Sequence, residues 1–149
     1  MKALVCRAAA AAAILLLAGG AMAQEKSKAR TLNVKVKYTG EGKVDDKHRI
    51  AVFVFDSPDF TQGSVAPFAT KDTDAKEATV TFSDLDRSPV YVAVIFSPDG
   101  TYDGSAGPPP SGSSIGMYST EPPQPSAINI EEGKSADIDL PFDDSFKMP

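Results

Sequence analysis

The chain predicts an all-β fold, a single antiparallel sandwich of seven short strands. Three observations carry this. Several stretches alternate apolar and polar residues with a period of two, the pattern of a strand with one wet face. Two others, 49–55 and 90–96, are apolar on both faces and rich in β-branched residues, as expected of strands covered on both sides. No stretch after residue 23 repeats its apolar residues at helical spacing.

The first 23 residues read as a cleaved signal peptide rather than as part of the domain. Lys2 and Arg7 charge its start, Ala8 to Ala18 is apolar, Gly19-Gly20 interrupts it, and Ala21-Met22-Ala23 offers small residues to a signal peptidase. Cleavage would leave 149 − 23 = 126 residues, starting at Gln24. The only cysteine, Cys6, lies in the removed segment, so an exported chain would hold its fold without a disulfide. Of the 15 basic residues Lys2 and Arg7 also leave, so 13 basic face 20 acidic ones, a net charge of −7 with His48 neutral. That balance disfavours nucleic acid and anionic lipid as partners, and no later apolar run is long enough for a membrane span. The protein is therefore expected in the periplasm or outside the cell.

The elements follow in order: six strands, with two short stretches, near 66–70 and at 115–119, as the alternatives for a seventh. Residues 24–30 form a polar leader. In 31–38, Leu32, Val34, Val36 and Tyr38 face inward, and the lysines between them suit an edge strand. Residues 39–47 are turn material. The strand 49–55 is interior and stops at Asp56-Ser57-Pro58-Asp59, since Pro58 cannot donate to a ladder. Residues 60–69 are irregular, with a short edge strand near 66–70, and 71–77 reads as a charged loop. Then come 78–82 and 90–96, which read as an antiparallel pair around the turn 83–88, the heart of the domain. Residues 97–126 hold seven prolines and five glycines and form one long loop, with a short strand at 115–119. Strands 127–130 and 135–140, joined by Glu131-Glu132-Gly133-Lys134, close the domain at about 142. In the tail region Phe142 and Phe146 offer two aromatics to pin residues 143–149 to the body.

This order resembles the carboxypeptidase regulatory-like, or transthyretin-like, sandwich of exported bacterial proteins. The residues that carry the resemblance are Val80-Thr81-Phe82-Ser83-Asp84-Leu85, Val90-Tyr91-Val92-Ala93-Val94, Ile128-Asn129-Ile130 and 133–140. It spans 31–142 and implies an Ig-like seven-stranded fold more than a function. Some members carry an acidic, calcium-type loop after the YVAV strand. Here Asp99, Gly100 and Asp103 match it, and Ser97 stands where the first acid would be. The same fold also hosts a hydrolase of 5-hydroxyisourate that uses several histidines and a final Tyr-Arg-Gly-Ser. This chain has one histidine and reads Phe-Lys-Met-Pro there.

The chemistry the residues permit is narrow. Asp99 and Asp103 are the candidate metal ligands, for calcium, with carbonyls and the Asp143-Asp144 pair as further oxygen donors; the competing reading of Asp99-Gly100 is a plain turn. No cofactor is otherwise implied. His48 stands alone in Asp-Asp-Lys-His-Arg and reads as a solvated rim residue. With no second histidine and no cysteine after residue 23, zinc and Cys-His chemistry are excluded, and no G-x-S-x-G elbow is present. Tyr102 and Tyr118 could serve a sugar as stacking platforms or pin the long loop to the sandwich. With Pro108, Pro109 and Pro110 they make the candidate binding surface, because loops on a rigid scaffold carry recognition. The expected function is a non-catalytic exported module for structural support or for binding a protein partner in the cell envelope. The alternative is a small carbohydrate-binding module, calcium-stabilised, with a glycan as partner; a hydrolase is the remote third.

Overall fold

A computed structural model of the chain describes residues 29–149 apart from Thr101 and Ala106. The signal segment 1–23 and the leader as far as Lys28 lie outside the described residues. Among those described, seven strands form two sheets packed as a sandwich. They are β1 (Arg30–Tyr38), β2 (Ile50–Phe55), β3 (Ala69–Thr73), β4 (Glu77–Leu85), β5 (Tyr91–Phe96), β6 (Ser114–Met117) and β7 (Ser135–Phe142). One sheet has the order β4-β1-β7, the other β3-β2-β5-β6.

The core lies between the sheets and follows the period of two. Leu32, Val34, Val36 and Tyr38 of β1 meet Ile50, Val52 and Val54 of β2 and Val92, Val94 and Phe96 of β5, all buried. Val80 and Phe82 of β4 and Ile138, Leu140 and Phe142 of β7 complete it. The seven-stranded sandwich and the inward residues of β1, β2, β4, β5 and β7 thus match the sequence reading.

Six expectations are corrected. The segments 78–82 and 90–96 are not partners. β4 pairs with β1, Val80 opposite Val34, whereas β5 pairs with β2 and β6. The turn residues between them carry the chain from one sheet to the other. Near Asp84, whose φ of 59° is left-handed, the β1–β4 register shifts between Leu32–Phe82 and Arg30–Leu85, a bulge just before the last pair of the ladder. Leu85 is then buried in the core while Asp86 to Pro89 stay exposed.

β1 is the centre of its sheet rather than an edge, and its lysines simply face water. Its second neighbour, β7, runs parallel to it, Val34 opposite Ile138 and Val36 opposite Leu140, so the sandwich is not wholly antiparallel. The strand begins beside the start of β1, where Gly133 donates to the Ala29 carbonyl and Thr31 to that of Lys134. The supposed loop 71–77 instead contributes to β3, an edge strand that buries nothing fully and so reads as a loop. Its Lys71 donates to the Thr81 carbonyl at 2.6 Å and lies over the Phe82 ring, blunting the neighbouring edge of β4. Residues 127–130 make one bridge, Val90 to Ile128, although Ile128 and Ile130 are buried.

In the tail only Phe142 is an anchor, as the end of β7; Phe146 is 61% exposed. The tail is held through its backbone. Ile115 donates to the Phe146 carbonyl, Met148 to that of Ser113 and Gly112 to that of Met148, so the tail covers part of the β6 edge.

Candidate functional site

The two outer faces of the sandwich differ in character. On the three-stranded sheet the outward residues are polar: Asn33, Lys35 and Lys37 stand beside Thr81, Thr79 and Glu77 on one side and Asp137 and Asp139 on the other. Thr81 Oγ1 donates to Asn33 Oδ1 and Asn33 Nδ2 to Asp137 Oδ1, both at 2.8 Å. On the four-stranded sheet the outward residues Ala51, Phe53, Phe55, Ala93 and Ile95 form a second apolar cluster, and all are buried. Because β2 and β5 are apolar on both faces, something other than the opposite sheet must cover them.

Two connections do so. The first, after β2, folds into a 3-10 helix (Pro58–Gln62). Ser57 caps it by accepting from the Asp59 amide, and Pro58 supplies a preset φ. This places Phe60 flat on Phe55, with ring centroids 4.3 Å apart and planes 11° from parallel. The second lies within 97–113. Tyr102 sets its ring edge against Phe53 at 5.8 Å and donates to the Gly107 carbonyl at 2.7 Å. Glycine is required twice here. A Cβ on Gly100, whose φ is +68°, would run into the His48 backbone, and one on Gly104 would meet the Phe53 ring at 2.6 Å. Phe60, Tyr91 and Tyr102 remain half-exposed on this face.

Two recesses adjoin these elements. A groove of about 340 Å³ at the outer face of the four-stranded sheet is lined by Arg49, Ala51, Thr70, Asp72, Tyr102 and Asp103, among others. Arg49 Nη1 donates to both oxygens of Asp72 at 3.2 Å. Asp103 Oδ1 accepts from the Ser105 hydroxyl at 2.5 Å and from its amide at 2.8 Å, which holds the Asp103 carboxyl below its usual range. Burial, and then the Asp103 charge, raise the Tyr102 hydroxyl.

A larger cleft of about 460 Å³ is lined by Tyr38, His48, Phe96, Ser114, Asp144 and Lys147, among others. Its hub is Asp144. Oδ1 accepts from Tyr38 and Ser114, both at 2.6 Å, and Oδ2 accepts from the Glu41 amide at 3.0 Å. The hydrogen bonds from Ser114 and then Tyr38 depress its pKa to about 2. Burial, and then the contact with the Asp144 carboxylate, raise the Tyr38 hydroxyl. At the rim, His48 Nδ1 is 2.8 Å from Asp45 Oδ1. Lys43 first, and then His48, hold the Asp45 carboxyl well below the ordinary range. Among the described residues no hydroxyl is hydrogen-bonded to the His48 ring.

The residues singled out from sequence are dispersed. Asp99 Oδ1 accepts from the Ser97 hydroxyl at 2.7 Å, while Asp103 is held by Ser105. Among the described residues no group of three or more His, Cys, Asp or Glu is placed to hold a metal ion. Bound calcium at a hundredfold excess over Kd would add about 2.7 kcal/mol and raise Tm by several degrees. Melting curves in millimolar calcium and in chelator are expected to superimpose, and a rise of that size with calcium alone, lost in Asp99→Asn/Asp103→Asn, would assign the ion to this loop. Tyr102 lies on the outer face, whereas Tyr118 packs partly against the core between the sheets, so the two rings do not form one platform. Pro108 and Pro110 are exposed and Pro109 half-buried.

Tyr91, Phe60, Arg49 and Asp72 were not picked out from sequence. The available signal was the apolar character of both faces of β2 and β5, which requires a cover on the outer side. No protein-family model matches this chain, and no curated protein and no solved structure matches it either.

Proposed function

We propose that this chain is an exported, non-catalytic binding module that holds a protein partner in the cell envelope, in the periplasm or outside the cell. The recognition surface is the outer face of the four-stranded sheet and the loops across it. One observation carries this reading: of the two outer faces, only this one is apolar, and its cover leaves Phe60, Tyr91 and Tyr102 half-exposed in one region. Aromatic residues on a rigid scaffold are the side chains that most often anchor a protein interface. The charged, apolar and small-residue order of residues 1–23 supports export, and on this reading the transthyretin-like resemblance is one of architecture.

The test is capture from envelope extract. Tyr91→Asp places a charge on the recognition face, and Lys35→Gln alters the opposite one. A protein retained by the wild type and by Lys35→Gln but lost at least tenfold by Tyr91→Asp, with both variants melting near the wild type, is the expected result. Equal retention by the wild type and Tyr91→Asp would overturn the assignment of the face.

A further inference from the structure

We propose that the groove beside Tyr102 is a subsite for an uncharged saccharide unit, bound by the Arg49–Asp72 pair and Asp103 over a floor made by Ala51 and the Tyr102 ring. The inference rests on the binding-module reading and adds a ligand class to one end of the same face. Its volume, about 340 Å³, lies at the lower end of the range of small-ligand sites. Polar groups converge on an apolar floor there, as such sites require.

The charges of the groove are already placed. The Arg49 guanidinium bonds Asp72 through Nη1 and the Asp46 carbonyl through Nε, and the Lys71 ammonium is held on the Thr81 carbonyl. An anion such as phosphate would find both cations engaged and the Asp72 and Asp103 carboxylates beside it. An ammonium would share the groove with Arg49. A hydroxyl-bearing ligand meets neither obstacle. Arg49 Nη2 is a donor, and the Asp72 oxygens, with the second Asp103 oxygen, are acceptors. Arg49 and Asp72 are 44% and 52% exposed at their side chains, so a ligand can reach them. Nη1 spans both Asp72 oxygens, which sets the guanidinium donors beside the carboxylate acceptors, the arrangement two neighbouring hydroxyls match, before a ligand arrives. The C–H face of a sugar ring would lie on Ala51 and Tyr102.

Amide chemical shifts of the labelled protein test this. The probes are glucose, galactose, mannose, N-acetylglucosamine and the β-1,4-linked disaccharides of glucose and N-acetylglucosamine, with inorganic phosphate and lysine amide as charged counterparts. The expected result is saturable shifts at Ala51, Thr70, Asp72 and Tyr102 with at least one neutral saccharide and none with the charged probes. Asp103→Asn and Thr70→Val should each weaken binding severalfold, and Asp72→Asn at least tenfold. No saturable shift with any neutral saccharide would overturn the proposal. So would the same shifts with phosphate or lysine amide, or unchanged affinity in Asp72→Asn and Asp103→Asn. If Asp72→Asn does not fold, Asp103→Asn and Thr70→Val decide. Protein capture that depends on Tyr91, together with no saturable shift from any neutral saccharide, would remove the saccharide while leaving the binding module intact.

Discussion

Val92→Asp should leave no folded protein at room temperature. Val92 sits in the middle of β5, fully buried, with Val54 opposite it on β2 and the core between the sheets around it. A carboxylate there has no described cation within reach. Burying it uncompensated costs several kcal/mol, or forces its protonation at similar cost, on top of the lost packing of the valine. The total stability of a domain this size is about 5–15 kcal/mol, so the loss is comparable to the whole. Lys35→Gln, on the solvated face of β1, should change stability by about 0.5 kcal/mol or less. Circular dichroism and thermal melts measure both. Similar Tm values for the two variants would mean that β5 is not the interior strand described here.

Asp144→Ala should lower Tm by about 10 °C and release the tail. The carboxylate receives the hydroxyls of Tyr38 and Ser114 and the Glu41 amide, and so ties β1, the loop after it and β6 to residues 143–148. Hydrogen bonds to a charged group contribute about 1.5–3 kcal/mol, and Tyr38, only 3% exposed, would lose its acceptor. Amide exchange at Ile115 and Met148, whose hydrogen bonds join the tail to β6, should quicken more than exchange in β1. Exchange unchanged at those two amides would show that the tail does not depend on the hub.

The same group links stability to pH. The folded pKa of Asp144, about 2, lies below the unfolded value of about 3.9. The unfolded chain therefore binds the proton more readily, and stability rises with pH across this window. The Asp144 contribution should be fully present above about pH 5 and disappear as the pH falls towards 2. Asp144→Asn should flatten that part of the acid-unfolding curve.

Much of this fold was legible in the sequence, because burial imposes a period of two wherever a strand has one wet face. Leu32 to Tyr38, Val80 with Phe82, and Ile138 with Leu140 could be oriented on that ground. Neighbour relations could not. The pattern of Val80 and Phe82 says which side is buried but not against which strand, and a seven-residue connection of turn formers can close a hairpin or cross between sheets. The left-handed backbone at Asp84 and the burial of Leu85 decide between these, and both depend on tertiary packing. The direction of β7 is likewise set by the route of residues 118–134. The candidate site was half legible. Tyr102 was visible as an aromatic in a loop, but Arg49 and Asp72 are 23 positions apart and meet only because β3 pairs with β2. Tyr91 looked like one more core residue, since alternation cannot reveal that the outer face of β5 is only partly covered.

The central claim is that recognition takes place on the outer face of the four-stranded sheet. Hydrogen exchange on the captured complex, compared with the free protein, tests it most directly. Protection confined to the 3-10 helix, the start of β5 around Tyr91 and residues 102–113, with β1, β4 and β7 unchanged, is the predicted result. Protection concentrated on the polar face around Asn33, Lys35 and Asp139 would contradict it.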